Sequence, residues 1–124
     1  MYLLDTHTLL WAAGQPEQLS LKVREILMNP DNRIYVSMAT IWELSIKKTI
    51  GKLSIPESFF TYIFETGYTR LDISEPHLQA YRTLPLLHRD PFDRLLVAQA
   101  KSDQLALLSR DDQIRRYDVK TCWE

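Results

Sequence analysis

Only one cysteine, Cys122, occurs in the 124 residues, so no internal disulfide is available and the chain suits a reducing cytoplasm. Charge of one sign is not in excess either: 15 lysines and arginines stand against 16 aspartates and glutamates, a formal net charge of -1. That balance gives no global attraction for nucleic acid, so any polyanion must be bound locally or through metal ions. No apolar stretch approaches the roughly 18 residues that a membrane span needs. The N-terminal stretch MYLLDTHTLLW has no basic region, so neither a span nor export is expected, and the expectation is a soluble cytoplasmic protein. A Gly-rich phosphate loop, a P-loop lysine motif and a Gly-x-Ser-x-Gly elbow are all missing, which removes the usual sequence support for nucleotide binding or a serine hydrolase.

What is present reads as a folded α/β chain. Apolar residues make up 45% and charged residues 25%, and the length predicts one domain over residues 1–124. Short apolar or β-branched runs occur at 2–4 (YLL), 34–37 (IYVS), 70–73 (RLDI) and 105–109 (LALLS), with a weaker one at 119–122 (VKTC). Helical patterns lie between them, following Ser20, Ser37, Glu75-Pro76 and Asp90-Pro91. A further pattern at Phe59, Phe60, Ile63 and Phe64 runs towards Gly67, after a break at Gly51. Strands alternating with helices predict parallel pairing through right-handed crossovers. The expected fold is a three-layer α/β/α sandwich with a mostly parallel sheet of about five strands.

Open parallel sheets bind ligands outside the carboxyl ends of their strands. Asp5 follows the first run at once, Glu43 lies beyond the second, Asp111 is two residues past the fourth, and Asp93 opens the helix after Pro91. Most of these have a plain structural reading. Asp5 can cap the helix THTLLWAA, Asp90 before Pro91 is a good N-cap with Asp93 favouring the helix dipole, and Asp111 or Asp112 can cap QIRRY. Glu43 resists that reading, because a carboxylate beside Trp42 on a largely apolar helix is costly without a partner. Carboxylates held together must take up protons or be neutralised by a cation. Oxygen ligands with no matching His/Cys set suit Mg²⁺ or Mn²⁺ rather than zinc. Such ions activate water and bridge phosphate oxygens, which points to phosphodiester hydrolysis and lets a chain of net charge -1 meet RNA or DNA.

Four stretches in this order, MYLLDTHTLLW, SMATIWELSIKK, HRDPFDRLLVAQA and LLSRDDQIRRYDV, resemble PIN-domain proteins, and more closely the VapC-like toxins of prokaryotic toxin–antitoxin pairs. The resemblance covers essentially the whole chain and implies a parallel α/β/α fold. It matches the family's acids to Asp5, Glu43, Asp93 and Asp111, with Asp112 as the competitor for the last, and the family's hydroxyl to Thr6. It implies that these acids hold one or two Mg²⁺ or Mn²⁺ ions and cut RNA endonucleolytically by metal-activated water, to inhibit growth or translation. It further implies a cognate VapB-like or other DNA-binding antitoxin, whose C-terminal segment brings a basic residue towards the acidic pocket, and a homodimer of the toxin. A PIN nuclease that is no toxin, or a non-catalytic module whose acidic pocket docks a basic partner, are the alternatives.

Around these acids, Arg89, Arg94 and Lys47 are candidates for substrate phosphate or for pairing with the acids. Lys48, Lys52, Arg110, Arg115 and Arg116 can supply positive charge around an RNA groove. His7 and His88 adjoin proposed site acids but read mainly as non-catalytic, and His77 reads as an ordinary early-helix residue. Trp11, Trp42, Tyr62 and Phe92 read as core or interface rather than stacking platforms, and Trp123 as packing or a partner contact. A phosphoaspartyl phosphatase needs D-x-D-x-T where this chain has Asp5-Thr6-His7-Thr8. A receiver domain needs a phospho-acceptor after the third strand, where Asp72 falls inside the apolar run.

Overall fold

Each of the five apolar runs forms a strand in the computed structural model, which describes residues 1–124. They are β1 (Tyr2–Leu4), β2 (Ile34–Ser37), β3 (Thr69–Leu71), β4 (Ala106–Leu108) and β5 (Thr121–Cys122). All neighbours pair in parallel, in the order β3-β2-β1-β4-β5. The central strands are mostly apolar because both sheet faces are covered. Leu3 and Leu107 join the core under α5 (Glu75–Arg82) and α6 (Pro91–Asp103). Leu4, Ile34, Val36 and Leu108 join the opposite core, under α1 (Thr6–Gly14), α2 (Leu21–Met28) and α4 (Glu57–Tyr62). Helix α3 (Met38–Thr49) contributes Ala39 to the first core and Leu44 to the second.

The helices begin where their caps dictate. Ser20 and Ser37 accept hydrogen bonds from Val23 N and Ala39 N, and Asp90 accepts from Phe92 N and Asp93 N ahead of Pro91. Helix α4 stops at Tyr62 instead of running to Gly67, and the chain turns through a left-handed Gly67 at φ 108°. The stretch QIRRY yields only a single 3-10 turn, Ile114–Arg116. Asp72 lies just past the end of β3 rather than inside it, exposed and paired with Arg70 at 3.1 Å. That strand is at the sheet's edge, two strands away from β1.

Strand order decides where a ligand can enter. From β1 the chain steps to β2 on one side, while β4 lies on the other, so the order reverses between β1 and β4. The crevice at a parallel sheet opens at such a reversal, beyond the carboxyl ends of the two strands. Asp5 follows β1 and Ser109-Arg110-Asp111 follow β4.

Candidate active site

The two strand ends are pinned to each other before any ligand arrives. Asp5 N donates to Leu108 O at 3.4 Å, and the Thr8 hydroxyl donates to the same carbonyl at 2.9 Å. Asp5 Oδ1 accepts from Thr8 N at 2.8 Å, so the expected N-cap of α1 is present. The same side chain accepts a hydrogen bond from Ser109, the residue that follows β4. Asp5 is thus both a cap and a pocket acid. It is only 4% exposed, and burial raises its carboxyl pKa against the lowering effect of the Ser109 and Thr8 hydrogen bonds.

Asp93, in the first turn of α6, points into the same field. Burial pushes its carboxyl up to about 6; the hydrogen bond from His88 opposes this, and the charges of Asp90, Asp111 and Asp5 add to it. His88 Nε2 lies 2.9 Å from Asp93 Oδ2. Asp111 Oδ1 accepts from Gln113 N at 2.7 Å and Ile114 N at 3.2 Å, which fixes the turn that leads into Ile114–Arg116. Asp112 is exposed, whereas Asp111 shares a cleft of about 270 Å³ with Asp5, His7, Trp11 and Arg110. Of the two neighbours, Asp111 is the one in the pocket.

Glu43 reaches the group through Thr6. It is 6% exposed; Oε1 accepts from the Thr6 hydroxyl at 2.7 Å and Oε2 pairs with Lys47 at 3.0 Å. The side chain that has no capping role is therefore buried with a donor on each oxygen, as a hidden carboxylate requires. Lys47, one turn along α3, is committed to Glu43, and Thr6 is buried as its other donor.

Arg89 is exposed in the loop ahead of Asp90. Arg94 departs from expectation. It is 6% exposed, with its guanidinium turned into the fold, donating to Pro85 O at 2.9 Å and Tyr117 Oη at 3.1 Å and lying 4.8 Å from the Tyr81 ring centre. A side chain so buried has a structural role and does not present itself to substrate.

Two histidines carry more than the sequence suggests. His88, Asp90 and Asp93 form a group whose ligand-type atoms lie within 4.8 Å of one another, and the run HRDPFD held the signal for it. His77 is 3% exposed and bridges Ser74 N, through Nδ1, and Asp103, through Nε2. Its ring also meets Gln99, which in turn accepts from Ser37 at 2.6 Å beneath α3. No local pattern announces that chain.

Asp5 and Glu43 are buried and Asp93 and Asp111 partly so; their carboxylate oxygens are hard donors, and their mutual repulsion calls for positive charge. Both properties fit Mg²⁺ or Mn²⁺. The larger concavity is elsewhere. A groove of about 700 Å³ between α1, α2 and α4 is lined mainly by apolar side chains, among them Leu9, Ala12, Leu27, Ile34, Phe59 and Ile63.

The family model described as PIN domain matches residues 2–120. No curated protein matches the chain in sequence. Among solved structures, VapBC2 from Rickettsia felis, bound to a DNA fragment from its promoter, matches with a TM-score of 0.76 at 20% identity over 99% of this chain and 98% of that chain. FitAcB from Neisseria gonorrhoeae matches with a TM-score of 0.67 at 19% identity over 98% and 96% of the two chains. A FitAB structure bound to a DNA fragment gives a TM-score of 0.67 at 18% identity over 98% and 94%. At such identities the structural likeness concerns the fold. The family match spans nearly the whole chain, and with the parallel sheet and the acids at its reversal point it has one conclusion: the chain belongs to the PIN-domain family.

Proposed function

We propose that this chain is a Mg²⁺- or Mn²⁺-dependent endoribonuclease, one domain over residues 1–124, and the toxin of a toxin–antitoxin pair acting in the cytoplasm. The observation that carries the reading is the field at Asp93: burial, and then the charges of Asp90, Asp111 and Asp5, lift its carboxyl to about 6 against the hydrogen bond from His88. Such a cluster stores repulsion that a divalent ion relieves.

Asp5, Asp93 and Asp111 are the residues that would hold an ion, with Glu43 behind Thr6 at the edge of the same site. Bound there, Mg²⁺ or Mn²⁺ supplies an acidified water and neutralises charge developing on the scissile phosphate. The chain's own residues do the rest. Thr6 and Lys47 each satisfy one Glu43 oxygen and so fix the direction of its carboxylate. His88 holds Asp93 Oδ2, and the Ser109 hydroxyl and Thr8 N hold Asp5, so the acids are set before substrate arrives. Arg89, exposed beside the cluster, is the basic residue placed for a phosphate on the strand.

The VapBC2 and FitAB relatives, solved on DNA, support an antitoxin partner that binds DNA. A basic residue from that partner suits the acidic pocket, and an amphipathic segment suits the apolar groove between α1, α2 and α4. A homodimer completes the proposed assembly. The test is incubation of purified, partner-free protein with total cellular RNA in Mg²⁺, Mn²⁺ or chelator, with new RNA ends mapped against Asp93→Asn. Metal-dependent ends absent from the variant are expected. The same ends in both proteins would overturn the assignment of Asp93, and no ends in either would favour the docking-module reading.

A further inference from the structure

The cleft that contains Asp5 and Asp111 has a second wall, which no step above uses. It is made of His7, Trp11 and Arg110. The Arg110 guanidinium carbon lies 4.3 Å from the Trp11 ring centre and 5.9 Å from that of Trp123. Trp123 is buried and meets Trp11 edge-on at 5.9 Å, which props the indole from behind. His7 is exposed, with its ring 5.7 Å from Trp11 and tilted by 35°.

The placement of Arg110 is unexpected on charge alone. It is exposed and adjacent to Asp111, in a cleft with two carboxylates, yet none of the salt bridges in the chain involves it. The indole holds the cation while its N–H donors stay unspent. A planar cation with free donors, layered on an aromatic ring that is half-open to solvent, has the chemistry that receives an unpaired nucleobase and its phosphate.

We propose that His7, Trp11 and Arg110 form a subsite for one unpaired base of single-stranded RNA, next to the phosphate that a divalent ion at the acids would hold. The substrate class rests on the nuclease reading; the subsite itself rests on the aromatic–cation wall. Arg110 supplies a flat stacking surface and a phosphate donor, Trp11 the platform beneath it, and His7 the open edge. A strand that is paired, with its bases stacked inward, cannot use this wall, so the subsite selects loops and ends over helices.

The test compares binding of short labelled oligoribonucleotides with abasic strands of the same phosphate count, by fluorescence anisotropy in Ca²⁺. The base-bearing strand is expected to bind about ten-fold tighter than the abasic one. Arg110→Ala removes most of that preference. Arg110→Lys keeps the phosphate attraction but restores little of the base preference, because an ammonium offers no planar surface. Trp11→Leu acts in the same direction, with thermal melting to establish that it is folded; Arg110→Ala, at an exposed position, carries the test if it is not. Equal binding of the two strands by the wild type, no binding of either, or a base preference that survives Arg110→Ala would each overturn the subsite. Base preference lost with Arg110→Ala in a protein that cuts no RNA would instead keep the subsite and discard the nuclease reading.

Discussion

Asp93 carries an unfavourable charge in the folded chain. Its carboxyl goes from the ordinary 3.8 to about 6 in the folded chain, so the native state binds the proton more tightly than the unfolded state. The contribution to stability is therefore fully present below about 3.8 and is lost as pH rises through about 6. Above that range the ionised group costs up to about 3 kcal/mol, from about 1.4 kcal/mol for each pKa unit. Asp93→Asn should then raise the melting temperature of the metal-free protein at neutral pH and flatten its decline between acid and neutral pH. Mg²⁺ should raise the melting temperature of the wild type and leave that of the variant unchanged; a variant less stable than wild type without metal would contradict this origin of the shift. Glu43 makes the complementary case. Thr6→Val leaves Oε1 buried with no donor, and urea denaturation should register a loss of about 1–3 kcal/mol, largely restored by Thr6→Ser.

At the scale of elements, a cap and a candidate-site acid can be one residue, as Asp5 is for α1, or neighbours, as Asp90 and Asp93 are in α6. Asp90 caps α6 through Phe92 N and Asp93 N, and that helix aims Asp93 at the pocket while burying Arg94 to Ala100. Asp90→Ala should cost about 1 kcal/mol in chemical denaturation and weaken metal binding by loosening the first turn; an undiminished metal affinity would show that the turn holds without its cap. The central strands were readable in the sequence because the short apolar runs of β1, β2 and β4 are mostly buried, and the helix starts because Ser20, Ser37 and Asp90-Pro91 act locally. Asp5, Asp93 and Asp111 were readable as candidates because each follows a strand or opens a helix, and Glu43 because a carboxylate on a largely apolar helix needs a partner. Arg94 was not, since its turn into the core depends on Tyr81, Tyr117 and Pro85, which only the fold brings near. His77 was missed for the same reason, as Asp103 and Gln99 are more than twenty residues away. The overestimate of α4 came from Phe64, which carries the helical spacing past the point where the backbone turns.

For the whole molecule, the order β3-β2-β1-β4-β5 places the ends of β1 and β4 side by side, where the candidate site lies. The net charge of -1 then carries no information about substrate, because the local acid cluster is what a metal ion would invert. The most direct measurement is calorimetric titration of Mn²⁺ into the metal-free wild type and Asp93→Asn at a pH near 6, in buffers of different ionisation enthalpy. Binding to the wild type should release roughly half a proton, because Asp93 must ionise to act as a ligand, and Asp93→Asn should lose both the affinity and the proton. Binding of equal strength to the two proteins, or binding with no proton released, would contradict a metal centre at Asp93.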